Sequence, residues 1–552
     1  MTAAAPALMQ DGVSRLPASS SVEVLGVLRS AFARLDVEAV PYCHWKSNEH
    51  LGASMLGSAD LDILVARDAA VTFSRVMADL NYRRFAPAPG RSYPGVEDYM
   101  GIDPDTGELV HLHVHYELTL GEKYLKGYRI PWEKTLLDRR ERDDEHGIWT
   151  SDAASELLIL VVRAVLKARW RDVLRGSHAA MPDHMDRELR WLANRTTPEE
   201  VRSLARELLG DEAATHVCGL MVRPETSGLR ALKTAIAPQL KLWKTYSTSG
   251  AVVRRWYREF LVRFGAVQRR VGAGVSPRRR IMPRGGAFIA FVGPDGSGKS
   301  TLTGEVASWL SWKLDVLRVY GGSGAQSAGF PRRMMQRARA LTRRQGAGSR
   351  AGSLPPSRVT RSADVDLAAG PAFDEGTAAG SGVDAGQTES RSPADISSVR
   401  AEHVSIARAA WTVSLARERI VSARSARYAR NRGMVVLSDR LAQTQFAGIN
   451  DGPRLGSYLN GSSLFRRMAA RYEQESFRCV EQSPPDLVIR LHLSYSEART
   501  RKPDTPEEQL QRKLEIVPRL TWPAGTRVVE IDASQPLNEV LKAVKFAVWD
   551  VL

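Results

Sequence analysis

Apolar residues at Val24, Leu25, Leu28, Phe32 and Leu35 recur at intervals of three and four, the period of a helix with one buried face. Short apolar runs over 61–65 and 110–114 follow and predict strands. Together they outline a small α/β or α+β unit over 21–145. From 153 to about 209 the pattern is helical throughout, with Leu157, Leu160, Val161, Ala164 and Val165 on one face and many Ala, Leu, Arg and Glu residues. This predicts a helical domain over 150–215. A basic, aromatic stretch over 216–286 reads as a helical linker and ends in the breaker-rich SPRRRIMPRGG. A new domain starts at Ala287, with the apolar run AFIAFV and then Leu302, Val306 and Leu310 at helical spacing. Residues 321–398 are dominated by Gly, Ala, Ser, Pro and Arg, too few of them large and apolar to offset the entropy of ordering, so a disordered insertion is expected. A long helix over 401–430 and alternating strand and helix patterns then run to 552. The expected class is α/β, with a parallel sheet in the C-terminal domain over 287–552.

Composition adds bounds. At 552 residues the chain exceeds one core, and 43% hydrophobic with 25% charged residues is ordinary for folded domains. The three cysteines, Cys43, Cys218 and Cys479, lie far apart, which excludes a disulfide framework or a paired-cysteine zinc site and fits a reducing cytoplasm. Residues 1–20 have no basic start with a sustained apolar core, so a flexible tail is expected there instead of a secretory signal. The most apolar segment, 157–166, is short and carries Arg163, and no spanning helix is expected. Of the net charge of +16, most lies between Arg223 and Arg284, where fifteen Lys and Arg face only Glu225 and Glu259.

The strongest chemical signal is GPDGSGKST (293–301), set between a strand and a helix. Gly293, Pro294, Asp295, Gly296, Ser297 and Gly298 form a loop whose backbone N–H groups can converge on phosphate oxygens, and the helix N-terminus adds partial positive charge. Lys299 is expected to hold the β- and γ-phosphates of ATP. The Ser300 hydroxyl, followed by Thr301, is expected to serve Mg²⁺. Downstream, an apolar strand over 434–437 ends in Ser438, Asp439 and Arg440, at the edge where parallel sheets place ligands. Asp439 suits the magnesium shell and Arg440 a phosphate clamp. The strand at 487–493 leads into SYSEARTRK, whose Arg499, Arg501 and Lys502 suit either a solvated face or a closing lid.

GPDGSGKST, the strand ending in SDR, and PPDLVIRLHLSYSEARTRK together resemble the thymidylate kinase family of P-loop kinases. The resemblance covers 287–552 apart from the insertion. It implies that Asp295 faces the acceptor, that Asp439 and Arg440 form the family's aspartate–arginine motif, and that Arg499 and Arg501 lie in its lid. Ser297 stands where some members carry an arginine. Arg417 or Arg419 falls near the acceptor phosphate, with the spacing leaving either. After Arg440 the sequence LAQTQFAGINDGPRL departs from the family's base-contacting pattern, so the acceptor stays open.

In the first unit GSADLDILV places Asp60 and Asp62 two apart on a strand, on one face, where they can share a divalent cation. With YCHWKSNEHL upstream, this resembles the nucleotidyltransferase fold over 21–145. The resemblance implies metal binding by Asp60 and Asp62, with Lys46 and Ser47 at the position of that fold's Gly-Ser turn. The fold's third carboxylate belongs on a neighbouring strand, yet LVHLHVHYEL offers His111, His113 and His115 on one face, with Glu108 and Glu117 as the acids nearby. One histidine can complete a metal site, and a structural role is the competing reading.

Two functions follow. One is ATP- and Mg²⁺-dependent transfer of a phosphoryl group to a small phosphate-bearing acceptor by the C-terminal domain, fused to a nucleotidyltransferase-like unit. The other is a nucleotide-gated protein whose segment 223–284 meets nucleic acid or an anionic membrane surface, its arginines interleaved with Trp243, Tyr246, Trp256, Tyr257, Phe260 and Phe264. A packed helical hairpin with a solvated basic face is the third reading of that segment.

Overall fold

The computed structural model describes residues 24–122, 124–167, 183–223, 226–271, 276–319, 406–447, 452–461 and 463–552. The tail 1–20 and the insertion 321–398 lie outside them. The chain divides into two compact units, residues 1–264 and 265–552. Both are α/β, as the periodicity predicts.

The first unit is built on a seven-stranded mixed sheet. Its strands are β1 (Tyr42–His44), β2 (Leu61–Val65), β3 (Arg83–Phe85), β4 (Val96–Ile102), β5 (Leu109–His115), β8 (Glu141–Asp143) and β9 (Ile148–Thr150), in the order β3-β4-β5-β2-β1-β9-β8. β6 (Leu118–Leu120) and β7 (Tyr128–Ile130) form a separate hairpin. β2 runs parallel to β5, with Asp62 opposite His113, and β4 runs antiparallel to β5, with Asp98 opposite the same histidine. Alternation along the strands sends successive side chains to opposite faces. Leu61, Ile63, Val65, Val110, Leu112 and Val114 join Leu28, Phe32, Leu35 and Phe73, from the helices Gly26–Val37 and Ala70–Asp79, in one core. The opposite face carries Asp62, Leu64 and the three histidines. Leu64, Cys43 and Trp45 pack there into a second core with the helix Ala153–Lys167 and the helices that follow it, to Leu240. The sheet and the helical region therefore share one apolar core, which local periodicity cannot reveal.

The second unit holds five parallel strands, β10 (Phe288–Val292), β11 (Val316–Val319), β12 (Val435–Ser438), β13 (Leu487–His492) and β14 (Arg527–Asp532). Their order is β11-β12-β10-β13-β14. All five residues of β10 are buried, as a central strand covered on both faces requires. The chain leaves β10 for one edge, returns through β12, and then crosses to β13 on the other side. The strand order thus reverses at β10, and at such a switch point the loops part to leave a crevice beyond the carboxyl ends. Close approach is enforced beneath β10, where a Cβ at Gly286 would lie 1.9 Å from the Met434 carbonyl oxygen.

Candidate phosphate site and carboxylate–histidine cluster

The loop after β10 turns through Gly296 and Gly298, with φ of 88° and 80°, conformations that cost a side-chain-bearing residue energy. Gly298 then caps the helix Lys299–Ser311. A Cβ at Gly293 would lie 2.6 Å from Ser297 Oγ, so this turn too is closed to larger residues. Lys299 Nζ folds back over the loop and donates to the carbonyls of Gly293 and Pro294 at 2.8 and 2.7 Å. Burial pulls its pKa down to about 8, aided by Arg440 and Lys513 and opposed by Asp295 and Asp439. Three cations and two carboxylates therefore meet at the mouth of the loop, and an anion arriving there would relieve the repulsion among the cations.

Asp439, just past β12, accepts from Ser300 Oγ at 3.4 Å, while its Oδ1 is buried and has no hydrogen-bond partner. Burial pushes its carboxyl pKa up. A buried acceptor left without a donor is costly, and a hydroxyl and carboxylate so placed fit a hard cation. Arg440 and Leu441 line two neighbouring clefts. One, of about 350 Å³, includes Gly293, Asp295 and Lys299. The other, of about 400 Å³, includes Arg419, Ser422 and Ser438. Of the two candidate arginines on the helix Ile406–Asn431, it is Arg419 that lines the cleft. It donates to Ser476 Oγ at 2.8 Å, with its guanidinium 4.1 Å from the Phe477 ring centroid.

The remaining residues of this unit fall as follows. The helix Tyr495–Arg501 lies over the loop, so that a Cβ at Gly296 would meet Arg501 Cβ at 3.4 Å. The guanidinium groups of Arg499 and Arg501 donate to the carbonyls of Thr505 and Ala533 at 2.7 and 3.0 Å. Lys513, from the helix Glu507–Ile516, also reaches the loop, with its Nζ 2.5 Å from Asp295 Oδ2. Lys513 escaped the sequence reading because it sits in an ordinary charged amphipathic helix. Ser297 is buried and donates to the Pro294 carbonyl at 2.8 Å, a loop-fastening bond.

In the first unit Asp60 and Asp62 each face a histidine of β5. His111 Nδ1 is 2.7 Å from Asp60 Oδ1, and His113 Nδ1 is 2.8 Å from Asp62 Oδ1. His115 Nε2 lies 3.5 Å from the same Asp62 oxygen and 3.2 Å from His113 Nδ1. Lys46 Nζ also sits on Asp62 Oδ1, at 2.7 Å. Burial acts to raise the Asp62 pKa, but Lys46 and the two imidazoles outweigh it and hold the carboxyl well below its ordinary range. Burial lowers both imidazoles, His115 to about 3, so they are neutral at neutral pH. The third acid on this face is Asp98 on β4, 3.0 Å from His111 Nε2. Sequence reading missed it because VEDYMGI has no clean alternation, and only the pairing of β4 with β5 brings it in. Glu117 instead pairs with Arg67 and Arg129. Ser47 has φ of 62°, a turn conformation glycine favours. Asn48 beside it donates its backbone N–H and its amide to the buried Glu156, at 3.0 and 2.7 Å.

The basic segment is helical over Thr226–Ala235, Ala237–Trp243 and Thr248–Val271. Arg255 pairs with Glu122 at 3.1 Å, and Arg258 donates to the carbonyls of Ser92, Tyr124 and Leu125. These arginines fasten the last helix to the first unit. Val253, Trp256, Tyr257, Phe260 and Phe264 are exposed along another stripe of it. Among the described residues, no helix is long and apolar enough to cross a membrane.

No known family's sequence profile matches the chain. It is similar to the "Uncharacterized ATP-binding protein YghR" of Escherichia coli (strain K12), 33% identical over 117 residues, which are 21% of this chain and 46% of that protein. The protein of the same name from Escherichia coli O6:H1 matches over the same length at the same identity. The chain thus spans about half the length of these relatives. It is also similar to the "Uncharacterized ATP-binding protein YghS" of strain K12, 26% identical over 256 residues, covering 46% of this chain and 89% of that protein.

Proposed function

We propose that residues 287–552 bind ATP and transfer its γ-phosphoryl group to a small phosphate-bearing acceptor, in the manner of the thymidylate kinase family. The observation that carries this reading is the convergence of Lys299, Arg440 and Lys513 on a glycine loop at the switch point of a parallel sheet. The names of the YghR and YghS proteins, which describe them as ATP-binding, support its nucleotide half.

On this reading the loop N–H groups and Lys299 take the β- and γ-phosphates, Lys299 exchanging its two loop carbonyls for phosphate oxygens. Ser300 and Asp439 are the residues that would hold Mg²⁺, which when bound neutralises charge across the transferring phosphates. Arg440, common to both clefts, sits where donor and acceptor phosphates meet, and Arg419 orients the acceptor from the second cleft. Lid movement frees Arg499 and Arg501 from the Thr505 and Ala533 carbonyls to cover the transferring group. The first unit, with Asp60 immediately before β2, Asp62 within it and Asp98 two strands away in the sheet, is read as nucleotidyltransferase-like. Titration calorimetry of Mg-ATP tests the nucleotide half: binding that weakens at least about a hundredfold in Lys299→Ala supports it, since Lys299 would make charge-assisted bonds to two phosphates. Equal affinity in the variant refutes it.

A second role is favoured by the exposed stripe on Thr248–Val271, where Trp256, Tyr257 and Phe260 are each about three-fifths exposed. Aromatics at helical spacing beside arginines suit the surface of an anionic bilayer. Co-sedimentation with phosphatidylserine vesicles that is lost in Trp256→Ala/Phe260→Ala supports this role. Equal pelleting by the variant, or binding to RNA or DNA in its place, overturns it.

A further inference from the structure

The donor atoms His113 Nδ1, His115 Nε2 and Asp62 Oδ1 form a triangle with edges of 2.8, 3.2 and 3.5 Å. A point equidistant from all three in their plane lies about 1.9 Å from each, just inside the metal–nitrogen and metal–oxygen distances of about 2.0–2.2 Å. An ion with such bonds would therefore sit about 1 Å above the plane, bonded to all three with little movement of the protein. From the triangle we infer that the first unit binds a borderline transition-metal dication, of the class of Zn²⁺, Co²⁺ or Ni²⁺, through Asp62, His113 and His115.

This differs from a magnesium site shared by Asp60 and Asp62. Two imidazoles and one carboxylate select against Mg²⁺, which prefers oxygen ligands, and favour ions that accept nitrogen, with positions left open on the side away from the triangle. Asp60 has a separate engagement, held by His111, which is in turn held by Asp98. The β-sheet makes the triangle rigid. His113 is registered opposite Asp62 across the parallel β2–β5 pair, and His115 follows two residues on, with its ring edge-on to both His113 and Trp45. Lys46 occupies Asp62 Oδ1 and supplies the positive charge that an ion would bring, so metal entry must move it. Displaced, Lys46 remains close enough to meet an anionic ligand on the open positions, and a phosphate-bearing compound is the class that such a cation and metal would share.

The test uses the full chain, stripped with a chelator and then titrated with Co²⁺ while the visible d–d absorption is followed, with Zn²⁺ competition read by calorimetry. The expected result is one ion per chain. His113→Gln and His115→Gln each weaken binding at least tenfold, and Asp60→Asn and His111→Gln leave it unchanged. Lys46→Met retains every ligand, removes the competing ammonium and should tighten binding severalfold, which keeps the test meaningful if a histidine variant misfolds. Absence of stoichiometric Co²⁺ binding, equal binding in the His113 and His115 variants, loss in Asp60→Asn, or no gain in Lys46→Met would each overturn the inference. None of these outcomes bears on ATP binding by the second unit.

Discussion

If Lys299 meets the phosphates as proposed, nucleotide affinity should depend on pH in a window set by its surroundings. In the loop its ammonium is buried, near Arg440 and Lys513, and its pKa falls to about 8. Phosphate oxygens around Nζ would restore it to or above the ordinary lysine value of about 10.4. Binding then takes up a proton wherever the free site has lost one. At pH 7 about a tenth of the free protein carries neutral Lys299, and at pH 9 about nine-tenths does, so affinity should fall about tenfold between those values. The phosphates contribute nothing to this slope, because their last ionisation lies near pH 6. Asp295 is held low by Lys513 against the effect of burial and titrates below the window. Asp439 is raised by burial, and loss of its proton would favour a cation, an effect of opposite sign. The assay is calorimetry of Mg-ATP at pH 7, 8 and 9 in buffers of differing ionisation enthalpy, which counts protons directly. Lys299→Arg supplies the control, since guanidinium stays charged throughout, and its profile should lose the tenfold fall. Identical profiles for wild type and Lys299→Arg would refute the reasoning.

Arg419→Ala should raise the acceptor's KM about ten- to a hundredfold and change kcat little, as expected for loss of one charged contact to bound acceptor, measured by steady-state kinetics. Glu156 is buried and its pKa is raised to about 7, so the folded state keeps a proton that the unfolded state releases near 4.5. The Glu156 contribution to stability of the first unit should therefore fall as pH rises from about 4.5 to 7, by up to about 3 kcal/mol, opposite in sign to that of the buried neutral His113 and His115, so in thermal melts the stability of wild type relative to Glu156→Gln should decline across that range. Gly286→Ala would drive a methyl into the Met434 carbonyl and should cost the second unit about 3 kcal/mol or more, read as a lowered urea midpoint for that unit.

The strand, glycine turn and helix around Lys299 were legible in the sequence because their pattern is local, all falling within 25 consecutive residues, 287–311. The alternation of His111, His113 and His115 was equally visible, since a strand's period of two is written directly in LVHLHVH. What joined those residues to their partners was not. Asp98 reaches His111 through the antiparallel register of β4, and Lys513 reaches Asp295 from 218 positions away. Register and long-range docking depend on the whole core, and neither leaves a trace in local spacing. The shared core of Trp45, Leu64 and the helix Ala153–Lys167 escaped for the same reason, since a helix that is buried almost all round carries no mark of which sheet covers it.

The central claim is tested most directly by incubating the protein with Mg-[γ-³²P]ATP and a panel of nucleoside monophosphates and sugar phosphates, and following label onto the acceptor. The account predicts label transfer to at least one acceptor class, with ADP release stimulated by that acceptor and both signals abolished in Lys299→Ala. Tight Mg-ATP binding with no acceptor labelled, or labelling that survives in Lys299→Ala, would contradict it.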